Sequence, residues 1–407
     1  MEVLEWLESL REQGMKLGLE NTSEVLLRLG DPQNNFPSIH VAGSNGKGTT
    51  CSLLSNAFTL SGYKTGLFTS PHLCNVEERI RIDGTQISKL DFLELLEKLY
   101  GVCEIEPKQT PTYYEATFIL AMMYFSSLNI DRAIIETGLG GRLDATRLVN
   151  ADCCILTQIS LEHTEILGNN ILEITKEKSA IARNGKPMIS IWNEDPGVRK
   201  IITEAVSSPE LISWYKTKES DNFLSEAIGL ANVALSKLKI PINCDEAAKI
   251  TLWPGRMQSI NYSDNITFLL DCAHNPSGIS RAINEIKMNH KEVDQVIFGC
   301  TKQTDLDAFI KPLIDFIQLG KIRNLILTEP QGGRTKAIPT KILKNYFINQ
   351  IEKLKIFEEK DPFNALNVAK SFNYKSKLLC IGSLYLIGNI LKIIKLDDPD
   401  SMKIFRK

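Results

Sequence analysis

Residues 38 to 50, "SIHVAGSNGKGTT", constrain the fold more than any other stretch of this chain. An apolar run ends in three glycines and a lysine within eleven residues, and "CSLLSNAFTLSGY" behind it reads as a helix. Strand, glycine turn and helix together form a phosphate-binding loop: small residues let backbone N–H groups converge on an anion, and the helix N-terminus adds positive partial charge. The spacing is GxxGKGT, from Gly43, Gly46, Lys47 and Thr49, rather than GxxxxGK[ST]. Lys47 is placed to reach the outer phosphates. A tight strand-to-helix turn would also use the glycines, but it needs neither Lys47 nor the paired Thr49 and Thr50.

A parallel α/β architecture is the expected frame for such a loop. Strand-like runs "KTGLFTS", "RAIIETG", "CCILTQIS" and "KPMISIW" alternate with helical patterns over 91–100, 115–127 and 171–183. "MEVLEWLESLREQ" reads as an acidic amphipathic helix rather than a signal peptide, and 208–222 as polar and irregular. Pro254-Gly255 in "TLWPGRMQ" breaks helix and strand alike and reads as a hinge. A second series follows it: "NITFLLDCAHN", "QVIFGCT", "NLILTEP" and "KLLCIGS". Two domains are expected, residues 1–254 and a smaller one over 255–407. The 407 residues carry a net charge of −2, which gives no reason to expect nucleic acid. No run of 18 uncharged apolar residues predicts a membrane span. Nine scattered cysteines without a CxxC pair suit reduced thiols in a cytoplasmic protein.

Several side chains stand where open α/β sheets gather ligands, at the carboxyl ends of strands. Of five histidines, His72, His163 and His274 each follow a strand-like run, and His40 enters the loop. Glu136 ends "RAIIE" and suits Mg²⁺, directly or through water; a strand-terminal surface carboxylate is the plainer reading. Arg142 and Asp144 follow in "GLGGRLDAT", where a guanidinium suits a carboxylate or phosphate, or else forms a surface ion pair. Asp271 ends "ITFLL", a position that accepts ribose hydroxyls. Arg256 in the hinge suits phosphates. Lys178, in "ITKEKSAIAR", reads as a solvated helix lysine.

Taken together, "HVAGSNGKGTT", "TSPHL", "ERIRIDG", "IIETGLGGRLDAT", "SLEHTEILG", "EKSAIAR", "WPGRMQ", "DCAHNP" and "GSLYLIGNI" resemble, in order, the folylpolyglutamate synthase and dihydrofolate synthase family of the Mur ligase superfamily. The resemblance covers about residues 15 to 390. It implies a Mur-ligase-like P-loop ATPase domain with a parallel sheet, followed by a smaller Rossmann-like α/β C-terminal domain. The activity implied is an ATP-dependent ligase: ATP phosphorylates a folate-type carboxylate, and the amine of L-glutamate attacks the acyl phosphate. Carried over by motif, Ser44, Asn45, Gly46, Lys47, Gly48 and Thr49 would hold the phosphates. Ser70, Glu136 and His163 would bind one or two Mg²⁺. Lys178 matches a lysine that is carbamylated in the family, which reverses its plain reading. Asn232, Arg256, Asp271 and His274 would contact nucleotide across the interdomain cleft. Leu17, the run Thr112, Tyr113, Tyr114 and Glu115, and Arg142, Leu143 and Asp144 match the region that takes the pterin substrate. Lys47, His163 and Lys178 are the residues the resemblance puts at the chemistry, and a monomer is the expected state.

Three positions depart from the family pattern. Arg147 follows Thr146 where "LDATN" is usual, Glu162 replaces the aspartate of "LDHT", and Lys16 stands where an acidic residue is common. They leave open whether dihydropteroate, a reduced folylpolyglutamate or both are taken. A Mur-type ligase acting on a non-folate precursor is a competing reading, opposed by "TSPHL" and "LGLE". A non-catalytic nucleotide-binding regulator is another, opposed by Lys47, Glu136, His163 and Lys178 occurring together.

Overall fold

The structure, a computed structural model, describes every residue except 1, 2, 13, 15–17, 219, 220, 291, 334, 352, 353, 373, 406 and 407. The family-matched Leu17 and the departure at Lys16 therefore lie outside the described residues. The chain divides into two compact units. One holds the residues up to His72, Val76–Leu252 and the chain end from Lys403; the other holds Leu73–Asn75 and Trp253–Met402.

The first unit is built on eight strands: β1 (Ser38–Ala42), β2 (Thr65–Phe68), β3 (Ile80–Ile82), β4 (Thr85–Gln86), β5 (Arg132–Glu136), β6 (Ala151–Leu156), β7 (Met188–Ile191) and β8 (Ile212–Tyr215). Their order is β4-β3-β2-β5-β1-β6-β7-β8. Six pair in parallel, while β3 and β4 pair antiparallel at one edge. Every residue of β1 is buried, as expected for a central parallel strand covered on both faces. Its register sets Val41 beside Glu136 of β5 and Ala42 beside Leu156 of β6. The glycine loop after β1 is thus flanked on both sides by strand ends.

The second unit carries β9 (Gln258–Ser263), β10 (Ile266–Asp271), β11 (Val293–Phe298), β12 (Asn324–Leu327), β13 (Lys355–Glu358) and β14 (Ser376–Ile381) in the order β13-β12-β11-β14-β10-β9. Only β9 is antiparallel. Alternation along the strands feeds two cores: Leu269, Phe298 and Leu379 enter one, Phe268, Ile297 and Cys380 the other.

The structure corrects the sequence reading in several places. Residues 208–222 are not wholly irregular, since they contain β8, where Trp214 packs edge-on against Trp192 at 5.7 Å. Four strand residues inside a polar stretch of fifteen are lost in its average. The antiparallel β3, β4 and β9 and the short β13 gave no recognised pattern. The first helix runs only Val3–Ser9, and the helix expected over 171–183 stops at Ser179. Caps move the other two boundaries: Ser88 opens Lys89–Cys103, and Thr112 opens Tyr113–Ser127.

Candidate active site

The loop after β1 is an anion cradle with an attached cation. Gly46 precedes the helix Lys47–Leu60 without any side-chain cap, so the first N–H groups of a fourteen-residue helix face the loop. Gly43 has φ +143, and a Cβ there would lie 1.9 Å from the Thr157 Oγ1. No other residue fits that approach. Behind the loop, the Ser44 N–H donates to the Gln158 carbonyl at 2.7 Å, and the Ser44 hydroxyl accepts from the Ser160 N–H at 3.0 Å. Asn45 forms a bridge with Gln158. The Lys47 ammonium donates to the carbonyls of Gly43 at 2.9 Å and Ser44 at 3.2 Å. An ammonium has three N–H bonds, so one remains for a phosphate oxygen.

Lys178 is not solvated. Its side chain is 2% exposed, and its ammonium donates to Glu162 at 2.7 Å and to the Gly43 carbonyl at 3.0 Å. The helix Ile171–Ser179 turns Ile174 and Lys178, four residues apart, to the same buried side. Behind it, a Cβ on Gly141 would come within 2.9 Å of the Glu177 and Lys178 carbonyls, so the helix and the "GLGGR" loop are in close backbone contact. Burial works to raise the Glu162 carboxyl, but the Lys178 and Lys47 ammonium groups outweigh it and hold it down at about 2. Burial lowers Lys178, with Glu162 opposing. Glu162, a departure from the family pattern, is therefore the partner that makes a buried Lys178 tolerable.

Glu136 is 5% exposed, and its carboxylate accepts from the Ser70 N–H at 3.1 Å. His163 holds a left-handed backbone conformation, φ 46, with a half-exposed ring 3.8 Å from Glu165.

The residues matched to the substrate region divide in two. Thr112 and Glu115 cap their own helix: the Thr112 N–H donates to the Glu115 carboxylate at 2.6 Å, and the Thr112 hydroxyl accepts from the Glu115 N–H. Asp144 is buried and accepts from the Gly138 N–H at 2.9 Å, the Leu139 N–H at 2.8 Å and the Tyr114 hydroxyl at 2.9 Å. The Thr112, Glu115 and Asp144 side chains are thus engaged in hydrogen bonds within the chain. Arg142 is exposed and pairs with Glu177 at 2.9 Å, Leu143 is half-buried, and Arg147 donates to the Ala180 carbonyl at 3.0 Å. Tyr113 is 2% exposed, lies 4.4 Å from the Arg11 guanidinium and 5.3 Å from that of Arg79, and meets His72 edge-on. The Arg79 Nε donates to His72 Nδ1 at 3.0 Å. Sequence reading assigned no role to Arg11 or Arg79; for Arg79 the cue was "ERIR", a buried arginine just before the short strand β3.

Asn232 lies in the first unit, where its side-chain oxygen caps the Cys244 N–H at 3.1 Å. Arg256, Asp271 and His274 lie in the second. Burial raises the Asp271 carboxyl against the opposing Arg256 charge, and it accepts from the Met257 and Ala273 N–H groups at 3.0 and 2.9 Å. The His274 ring meets the Cys272 carbonyl at 2.8 Å. Glu285 and Arg281, one helical turn apart in Pro276–Asn289, add charges near Asp271 that the sequence reading missed. A polar pocket opens at the carboxyl ends of β6 and β7, lined by Thr157, Gln158, Ser190, Trp192, Asn193 and Glu226 among others. Its Thr157 and Gln158 are the residues that back the glycine loop.

Two family models match the chain: the Mur ligase middle domain over residues 41–246 and the Mur ligase glutamate ligase domain over 255–383. The Escherichia coli dihydrofolate synthase/folylpolyglutamate synthase is 34% identical over 344 residues, covering 77% of this chain and 79% of that protein. A Halobacterium salinarum protein named as a probable bifunctional folylpolyglutamate synthase/dihydropteroate synthase is 30% identical over 77% of this chain, which spans only 42% of its length. Among solved structures, the Escherichia coli protein in complex with DHPP and ADP has a TM-score of 0.83 at 24% identity, covering 97% of this chain and 98% of that one. The Yersinia pestis bifunctional enzyme complexed with AMPPNP and a Mn ion has a TM-score of 0.81 at 23% identity, covering 97% and 98%.

Proposed function

We propose, from the premise that this chain belongs to the dihydrofolate synthase/folylpolyglutamate synthase family of Mur ligases, that it joins L-glutamate to a folate-type carboxylate at the expense of ATP. The γ-phosphoryl group passes to a carboxylate oxygen of the acceptor, giving an acyl phosphate and ADP. The glutamate amine then attacks the acyl carbon; a C–N bond forms, the C–O bond to phosphate breaks, and the amine gives up a proton. The observation that carries this reading is the convergence of the Lys47 and Lys178 ammonium groups on the carbonyl of one loop residue, Gly43, with Glu162 paired to Lys178.

Within this scheme, Ser44 to Thr49 hold the phosphates through backbone N–H groups, and Lys47 balances charge on the transferring phosphoryl group. The donor chemistry around Glu136 fits a divalent cation: its buried carboxylate and the hydroxyl of Ser70, whose N–H it receives, are both hard oxygens. Among the described residues no group of three or more His, Cys, Asp and Glu is placed to hold a metal. Phosphate oxygens and water would complete the shell, as Mg²⁺ favours. Such an ion supplies charge neutralisation of the triphosphate. His163, from the segment that carries Glu162, is the third protein ligand in this reading.

Lys178 is read as the site of carbamylation. Burial lowers its proton affinity, and a neutral amine is the form that takes up CO₂. The change would turn an ion pair with Glu162 into two anionic oxygen donors, which a cation between them would stabilise. Intact-mass measurement with and without Mg²⁺ and bicarbonate tests this. Short carboxylic acids should partly restore Lys178→Ala, and Lys178→Arg should stay inactive.

Asn232, Arg256, Asp271 and His274 are assigned to the nucleotide, and the acceptor to the face beside Thr112–Glu115 and the exposed Arg142. Tyr113, Leu143 and Asp144 shape that face from beneath. The chain is read as a monomer, which sedimentation tests. Its nine cysteines, all free and buried, fit a reducing cytoplasm. The deciding experiment is product analysis: ADP and phosphate should appear only when L-glutamate and a folate acceptor are both present. Stoichiometric AMP and pyrophosphate would refute acyl-phosphate chemistry.

A further inference from the structure

His40 is fully buried in β1, three residues before Gly43, and nothing above gives it a part. Its Nε2 lies 2.8 Å from the Thr146 hydroxyl oxygen, which in turn hydrogen-bonds Asp144. Asp144 also receives the Gly138, Leu139 and Thr146 N–H groups and the Tyr114 hydroxyl. A carboxyl group facing four other donors is an acceptor, so the single hydroxyl proton of Thr146 points to Asp144. The Thr146 oxygen must then accept from His40. The ring therefore carries a proton on Nε2; Nδ1 is a buried atom with no hydrogen-bond partner among the described residues, and a charged N–H buried there without an acceptor would be costly, so the ring is the neutral imidazole with a bare Nδ1. Burial above all, and then the Arg183 and Arg147 guanidinium charges, disfavour the protonated ring.

Asp144 holds the turn after Glu136 by two of its backbone N–H groups, and the same turn continues to Gly141, which abuts the carbonyls of Glu177 and Lys178. We infer that His40 is a positioning residue: by donating its Nε2 proton to Thr146 it orients the Asp144 carboxylate, which fixes the loop that leaves Glu136 and packs against the Lys178 helix. This rests on the ligase reading for its kinetic consequence, although not for the proton's location. His40 touches neither nucleotide nor acceptor in this account.

Glutamine places an N–H donor where Nε2 stands, whereas methionine fills similar volume without one. His40→Met should lower kcat about tenfold, the size of one net hydrogen bond, with KM for ATP unchanged. His40→Gln should recover most of that loss. Equal damage from both variants, or a His40→Met enzyme with normal kcat, would overturn the inference. The second measurement does not depend on activity or on either variant folding. ¹⁵N chemical shifts of the wild-type ring at pH 7 should report the neutral Nε2–H tautomer. An Nδ1–H tautomer or an imidazolium would refute the relay even in an active enzyme, while an inactive chain with the Nε2–H tautomer would sink the ligase reading alone.

Discussion

The strand ends of the two units hold buried carboxylates by different means. In the first unit Glu162 is neutralised by Lys178, sixteen residues away, and Lys178 also meets a loop 135 residues away in sequence. In the second, Asp271 is held by two backbone N–H groups, with Arg256 as a charge nearby. The first arrangement links three segments through full charges, and removing one member strands another in a dry environment. The second is mostly local and uses dipoles, so it should tolerate change better. Buried ion pairs are strongly context-dependent in this way: breaking one is costly, replacing both members often is not.

Lys178→Met should therefore give the largest loss, about 3–5 kcal/mol of unfolding free energy, because Glu162 is left charged and unpaired. Urea unfolding of this variant beside Glu162→Gln/Lys178→Met makes the comparison sharp. The double variant should regain most of the stability but not the activity. Equal instability of both would mean that packing, not charge, holds the site. Lys47→Ala should leave the fold intact and reduce turnover by about 30- to 1000-fold, equivalent to ~2–4 kcal/mol of barrier. Near-normal turnover would reduce the loop to a tight turn. Asp271→Asn should cost less, about 1–3 kcal/mol, since the amide oxygen keeps one of the two backbone donors. A loss matching that of Lys178→Met would erase the contrast between the units.

Acid titration separates the two kinds of burial further. The folded-state proton affinity of His40 is well below its usual value, chiefly through burial and then through Arg183 and Arg147, with Cys154 beside it in the strand register. Protons then bind the unfolded chain more readily, so stability falls as pH drops below about 6.5. Glu162 is held at about 2, so its contribution is present above about 4.5 and is lost as pH falls toward 2. Asp271 shifts the opposite way, raised chiefly by burial, and should not contribute to that loss. His40→Gln should flatten the upper window and Glu162→Gln the lower one in pH-dependent melting curves. Arg142→Ala marks the small end of the scale: its exposed pair with Glu177 should contribute at most about 1 kcal/mol.

The parts of this site that were readable in the sequence are those with a local pattern. The glycine loop, the strands β1, β5 and β10, and the acids that end two of them follow from apolar runs stopping at glycine or carboxylate. What was hidden depends on partners far along the chain. Lys178 reads as solvent-facing because helix periodicity does not reveal a buried Glu162 waiting beneath it. Thr112, Glu115 and Asp144 match substrate-binding motifs, yet the structure spends their hydrogen bonds on a cap and a loop. Strand β8 escaped because four residues at a sheet edge leave no period to count.

The central claim, that the clustered lysines and carboxylates serve glutamate ligation, is tested most directly by the product itself. The purified chain is incubated with ATP, Mg²⁺ and L-glutamate, with dihydropteroate in one arm and tetrahydrofolate in the other, and the acceptor is analysed by mass spectrometry while ADP is counted. The account predicts one new glutamyl amide per ADP released in at least one arm. ATP cleavage without any amide, or no cleavage in either arm, would contradict it.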